Sequence, residues 1–181
     1  MRSLFISPHN DDESLFGAYT LMREKPLVLV VTDSFIQPLR GDIGCSAEDR
    51  RSESVEAAKV LGCPIAFLGI KDTELTEDIL TERLKPYLEC HFERIYAPSI
   101  QGGNVQHDIV GAVARKVFPS ITRYTTYTKT ELWTPEGQEV VPNEGEKALK
   151  VKALNCYKSQ LMLPSTRPHF LAVINRSEFL I

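Results

Sequence analysis

The chain has 181 residues, 43% of them hydrophobic and 25% charged, enough to bury one sizeable core and ordinary for a soluble globular protein. Its formal net charge of -3 gives no general attraction to nucleic acid or anionic lipid, and no basic stripe with interleaved aromatics is present. No apolar run reaches membrane length, so nucleic-acid binding and membrane insertion are both set aside.

In chain order, Leu4 to Ile6 reads as a first strand and residues 13–23 carry helical spacing. Leu27 to Val31 is a second strand, continuous and apolar as a strand covered on both faces should be. A helix over 47–61 has Ser46 as N-cap, Asp49 three residues on, an apolar stripe of Val55, Ala58 and Leu61, and Gly62 at its end. Ile65 to Leu68 is a third strand, 77–90 a helix, and Arg94 to Ala97 a fourth strand. A further helix begins near Gln106, turns Ile109, Val110, Val113 and Val117 inward and stops at Pro119. These repeated βα units predict an α/β, Rossmann-like, mostly parallel sheet with helices on both faces, as a single domain over 1–181.

After residue 120 the texture changes. Ile121 to Thr130 suits a strand, and Trp133 to Gly145 a loop or hairpin. Glu146 to Gln160 suits a helix and Phe170 to Ile174 a short apolar strand. The cysteines, Cys45, Cys63, Cys90 and Cys156, form no CxxC pair. With no signal-peptide pattern at the start, they read as reduced thiols of a cytoplasmic protein, Cys63 and Cys156 as small core residues.

The chemistry is concentrated in Ser7-Pro8-His9-Asn10-Asp11-Asp12-Glu13, directly after the first strand. One imidazole and three carboxylates there are hard to explain as packing. His9 and Asp12, three apart, suit one divalent ion, and Asp11 beside them suits a base. Open α/β sheets place such groups at the carboxyl ends of their strands. A third ligand must come from another loop. His107, just after the fourth strand and the Gly102-Gly103 turn, belongs at the same sheet edge as His9. His91 ends a helix and suits the surface, and the role of His169 is open. Glu13 suits support of the ligands or the turn. Arg50 and Glu53 have an ordinary reading as an i,i+3 pair on a solvated face, and Asp72 as a loop or cap residue. Ser159-Gln160 suits a helix end, and Trp133 is weak evidence for a sugar platform.

Together these residues resemble the (A/S)PHxDDE signature of the LmbE/PIG-L family of zinc-dependent N-deacetylases. Further resemblances are Arg50-Arg51-Ser52-Glu53 through Ala57-Ala58 to Leu61-Gly62, Leu68-Gly69-Ile70-Lys71-Asp72, and Lys152 to Ser159-Gln160. The resemblance implies a zinc held by His9, Asp12 and His107 and a general base at Asp11. It also implies sugar contacts at Arg50 and Asp72, with an N-acetylated sugar or glycoconjugate as substrate and self-association left open. Where the family has HxDH, this chain has Asn104-Val105-Gln106-His107. The ligand position is kept, but the helper histidine is Asn104, which donates a hydrogen bond to an oxyanion without acting as an acid. Gln106 removes a carboxylate that would orient the ligand histidine. Acid–base work then falls to Asp11 alone or to His169. The rival readings are a zinc amidase for another small amide and a non-catalytic sugar- or metal-binding domain. No Gly-rich phosphate loop follows the first strand.

Overall fold

The computed structural model describes residues 2–35, 45–131, 135–174 and 176–181. β1 (Ser3–Ser7) is buried at every position, and β2 (Leu27–Thr32) at all but its first. Their side chains alternate between two cores. Phe5, Val28 and Val30 face one, while Leu4, Ile6, Leu29 and Val31 face the other. That two-sided burial is why both segments read as unbroken apolar runs.

The first core is closed by α1 (Asp12–Phe16), α2 (Ala18–Glu24), α3 (Ala47–Leu61), α6 (Glu144–Leu154) and α8 (Arg167–Val173). The second is closed by α4 (Glu77–Leu88) and α5 (Val105–Val117). β3 (Ile65–Ile70), β4 (Arg94–Pro98), β5 (Thr122–Tyr124), β6 (Gln138–Val140) and β7 (Glu178–Leu180) complete a seven-stranded sheet of order β3-β2-β1-β4-β5-β7-β6. The first five strands are parallel, and β7 runs antiparallel between β5 and β6. The chain winds outward from β1 to β3 and then crosses back to lay β4 beside β1. The crevice at that reversal is where open α/β sheets bind ligands.

The α3 boundaries are those expected, with a reciprocal capping box between Ser46 and Asp49 and Gly62 left-handed at φ 74°. Residues 13–23 instead form two helices broken at Gly17, where a β-carbon would sit 2.3 Å from the Phe5 ring; glycine lets the first helix lie on the sheet.

Several expectations are corrected beyond residue 120. The strand over 121–130 is only Thr122–Tyr124, because the chain then leaves the sheet and Thr126 N–H turns to Gln101 Oε1 at 2.7 Å. The helix over 146–160 is α6 followed by α7 (Lys158–Met162). It starts earlier, since Asn143 and Glu146 form a capping box, and it breaks where Tyr157 turns inward. The strand over 170–174 is α8. A five-residue apolar run does not distinguish helix from strand, and here Phe170 and Val173, one turn apart, are buried while Leu171 is exposed. Pro168 in the first turn favours the helix. Cys63 and Cys156 are only partly buried, at the edge of the first core. Trp133 lies outside the described residues.

Candidate metal and substrate site

β1 ends at Ser7, and the next four residues turn back over the sheet edge into α1. The turn is tied on every side. Asn10 N–H reaches Ser34 Oγ at 2.8 Å, Asn10 Nδ2 the Thr32 carbonyl at 3.3 Å, and Asn10 Oδ1 accepts from Ser54 on α3 at 3.0 Å. Beneath it Glu13, fully buried, takes hydrogen bonds from Ser7 Oγ and from the Tyr157 hydroxyl. Burial pushes its carboxyl up to about 7, against the pull of the Tyr157 hydrogen bond.

This scaffold brings three predicted ligands together. His9 Nδ1, Asp12 Oδ2 and His107 Nε2 form a triangle with edges of 3.0, 3.0 and 3.2 Å. Asp12 and His107 are each 2% exposed. With a proton on each ring nitrogen both would donate to Asp12 Oδ2, which already accepts from His9 N–H at 2.9 Å, and the 3.2 Å nitrogen–nitrogen edge would set two donors face to face. Ligands at 2.0–2.1 Å from a tetrahedral ion lie roughly 3.3–3.4 Å apart, so the triangle fits one face of such a coordination shell. Burial alone would raise the Asp12 carboxyl; the facing His107 and His9 outweigh it and hold it well below the usual range. Burial also disfavours a charged His9, yet Asp12 raises its pKa. The other ring nitrogen of His107, Nδ1, is buried with no hydrogen-bond partner among the described residues, the consequence expected of Gln106.

His9 and Asp12 open onto a cavity of about 240 Å³ that Asp11, Arg50, Asp72 and Asn104 also line. Asp11 is not part of the triangle and accepts from Arg50 Nη2 at 2.9 Å. Burial raises the Asp11 carboxyl and the Arg50 charge opposes it. Arg50, only 2% exposed, keeps Nε and Nη1 without partners among the described residues. It is therefore no surface partner of Glu53, which instead accepts from Ser159 N–H at 2.7 Å and Ser159 Oγ at 2.6 Å. Asp72 has a buried Oδ1 with no partner among the described residues. Asn104 is the N-cap of α5: its Oδ1 accepts from Gln106 and His107 N–H at 2.8 and 3.4 Å. The helix start that carries His107 is thus fixed by the residue standing where a histidine was expected.

One cavity residue, Tyr127, escapes the sequence reading of the site, while His169, whose role the sequence leaves open, and Gln160, which suits a helix end, join the same wall. Tyr127 accepts from Asn104 Nδ2 at 3.3 Å and packs its ring 5.2 Å from that of His107; burial pushes its phenol well up. His169, on α8, stands edge-on to Tyr127 at 5.4 Å, and Gln160 is the buried residue of α7. The substituted motif at Asn104 was the one hint that a helper must come from elsewhere. His91 is exposed and precedes β4, at the amino ends of the strands, opposite the edge that carries the site.

A buried His-Asp-His triangle that could hold a cation, with a carboxylate beside it, thus stands at the reversal point of this α/β sheet. The family model for PIG-L, the GlcNAc-PI de-N-acetylases, matches residues 4–118, and the chain belongs to that family of hydrolytic, amide-cleaving enzymes. No curated protein matches the chain. Among solved structures, N,N'-diacetylchitobiose deacetylase from Pyrococcus horikoshii is 18% identical with a TM-score of 0.72, over 99% of this chain and 82% of that one. The zinc-inhibited form of teicoplanin deacetylase Orf2 is 14% identical with a TM-score of 0.73, over 95% and 90%. The 4-carboxy-2-hydroxymuconate hydratase GalB from Pseudomonas putida KT2440 is 15% identical with a TM-score of 0.68, over 99% and 95%. At such identities these likenesses establish the fold, and a hydratase among them shows that the fold does not fix the reaction. No helix among the described residues is long and apolar enough to cross a membrane.

Proposed function

We propose that this chain is a zinc-dependent deacetylase that hydrolyses the acetamide of an amino sugar or glycoconjugate. The observation carrying this reading is the buried triangle of His9, Asp12 and His107 beside an Asp11 held by Arg50. Those three side chains would hold the cation. When bound, zinc supplies Lewis acidity and lowers the pKa of water to roughly 7.

Asp11 then takes a proton from the attacking water, and Arg50 counters the rise that burial imposes on its carboxyl. The water oxygen bonds to the acyl carbon, the carbon–nitrogen bond breaks, and Asp11 returns its proton to the leaving amine. Arg50 Nε and Nη1, which have no partner among the described residues, donate to substrate oxygens, and Asp72 accepts from a sugar hydroxyl. A cavity of about 240 Å³ is smaller than the roughly 300–1,000 Å³ of pockets for larger ligands, which favours one acylated ring inside and any remainder outside. Neighbours named for diacetylchitobiose and teicoplanin deacetylation support this substrate class. Four free thiols accord with a reducing, cytoplasmic setting.

The test is acetate release by the zinc-loaded protein from N-acetylglucosamine and a panel of N-acetyl glycosides. Release abolished by chelation and restored by zinc is expected. Release that survives complete metal removal overturns the mechanism. A metal-loaded protein inactive across the panel overturns the sugar and points to another small amide.

A further inference from the structure

The resemblance leaves one task without an owner. A histidine that would face the developing oxyanion is replaced by Asn104, and the oxygen of Asn104 is committed to the α5 N-terminus. That commitment fixes the rest of the amide. A flipped Asn104 would set its NH2 against the N–H groups of Gln106 and His107, so Nδ2 must face Tyr127. The phenol oxygen accepts from it at 3.3 Å, which leaves the phenol proton for another acceptor. No described residue takes that proton in a hydrogen bond, and Tyr127 lines the same cavity as His9, Asp11 and Asp12.

The placement is built rather than incidental. A β-carbon on Gly103 would lie 2.1 Å from the Tyr127 carbonyl oxygen, so glycine lets the loop after β4 touch the loop after β5. Gln101 Oε1 fastens the same two loops through Thr126 N–H at 2.7 Å, and Asp108 Oδ1 holds Gln101 and Gly102 N–H at 3.0 and 3.1 Å. The Tyr127 ring is wedged against Phe16, His107 and His169, with centroids 5.8, 5.2 and 5.4 Å away.

We infer that the Tyr127 hydroxyl donates the hydrogen bond that stabilises the acyl oxygen as negative charge develops on it, with Asn104 as the residue that positions it. This rests on the deacetylase reading. It requires no proton transfer: the phenol keeps its proton, and Asp11 does the acid–base work. A fixed donor of this kind strengthens as the carbonyl gains charge, so its effect falls on kcat rather than on ground-state binding.

The test combines turnover with binding of a methylphosphonamidate analogue of N-acetylglucosamine, whose tetrahedral phosphorus carries the oxygen in question. Tyr127→Phe keeps the ring and loses only the hydroxyl. Its kcat should fall on the order of 10²–10³-fold, with analogue affinity falling in parallel and affinity for the amine product, metal content and melting temperature unchanged. Asn104→Asp keeps the α5 cap but draws the phenol proton onto the new carboxylate, so it should lose a similar factor. The double variant should be no more than about threefold worse than Tyr127→Phe. A kcat within about threefold of wild type, an unchanged analogue affinity, or losses that multiply in the double variant would overturn the assignment. Normal wild-type turnover with an indifferent Tyr127→Phe removes this inference alone. A wild type that neither releases acetate nor binds the analogue removes the deacetylase reading and this inference with it.

Discussion

The two halves of the chain build the cavity in different ways. Residues 4–118, the stretch matched by the family model, are regular βα units whose loops and first helical turns carry the triangle, Asp11, Arg50 and Asn104. The remainder is short strands, broken helices and irregular backbone, yet it supplies Tyr127, Gln160, Thr166, His169 and Phe170 to the opposite wall. The first half fixes reactive groups on rigid strand ends. The second half closes over them with side chains whose positions depend on distant contacts. Its anchors are buried polar pairs: Lys150 Nζ with Glu178 Oε1 at 2.9 Å and the Leu15 carbonyl at 2.8 Å, and Tyr157 with Glu13. Reaction type should follow from the first wall, and the anchoring of the second should show chiefly in stability.

Substitutions on either side can break that contrast. The largest effect is expected at Asp11→Asn, which should lower kcat on the order of 10²–10⁴-fold while zinc stays bound, read from acetate release and metal analysis on one sample. Unchanged turnover with metal in place would remove Asp11 as base. In the second half, Lys150→Met removes the cation from the buried Glu178 carboxylate, leaving it the Tyr19 and Thr20 N–H donors, and should cost about 3–5 kcal/mol in urea unfolding. Its kcat should match wild type at temperatures where it is folded. A selective loss of kcat would show that the second wall steers the chemistry through its anchors.

Tyr157→Phe should cost about 1–2 kcal/mol, because Glu13 loses a donor in a dry site. It should also weaken zinc binding roughly tenfold by loosening the ligand turn, measurable by competition with a chelator. The smallest effect is a pH slope. The Glu13 carboxyl is raised to about 7 in the fold against an ordinary value near 4.5, so between those values the folded state binds more protons than the unfolded. Stability of the metal-free protein relative to Glu13→Gln should therefore be greatest below about pH 4.5 and fall as pH rises towards about 7. A difference that grows with pH would mean Glu13 is ionised in the fold.

What the sequence discloses follows the same division. β1 to β4 and α3 are legible because strands packed on both faces are continuously apolar, and because Ser46, Asp49 and Gly62 mark helix ends by local hydrogen bonding. The SPHNDDE turn is legible because such a density of ligand and base side chains has no packing explanation. β7 is illegible because Glu178–Leu180 becomes a strand only through pairing with Tyr124 and with Gln138–Val140, which no local pattern records. Phe170 to Ile174 misleads because short apolar runs suit helix and strand alike. Tyr127 and Tyr157 carry no spacing signal at all, since each matters for a partner far away in sequence, Asn104 in one case and Glu13 in the other. Arg50 is legible as a site residue, but not its pairing with Asp11, which exists only once α3 lies over the turn after β1.

The central claim is that His9, Asp12 and His107 form one cation site. The direct measurement is the zinc content of wild type and His107→Ala after equilibration with zinc and removal of excess, with folding checked by circular dichroism. About one equivalent in the wild type and a folded variant that retains almost none is the predicted result. A His107→Ala variant that keeps zinc at full stoichiometry would contradict it.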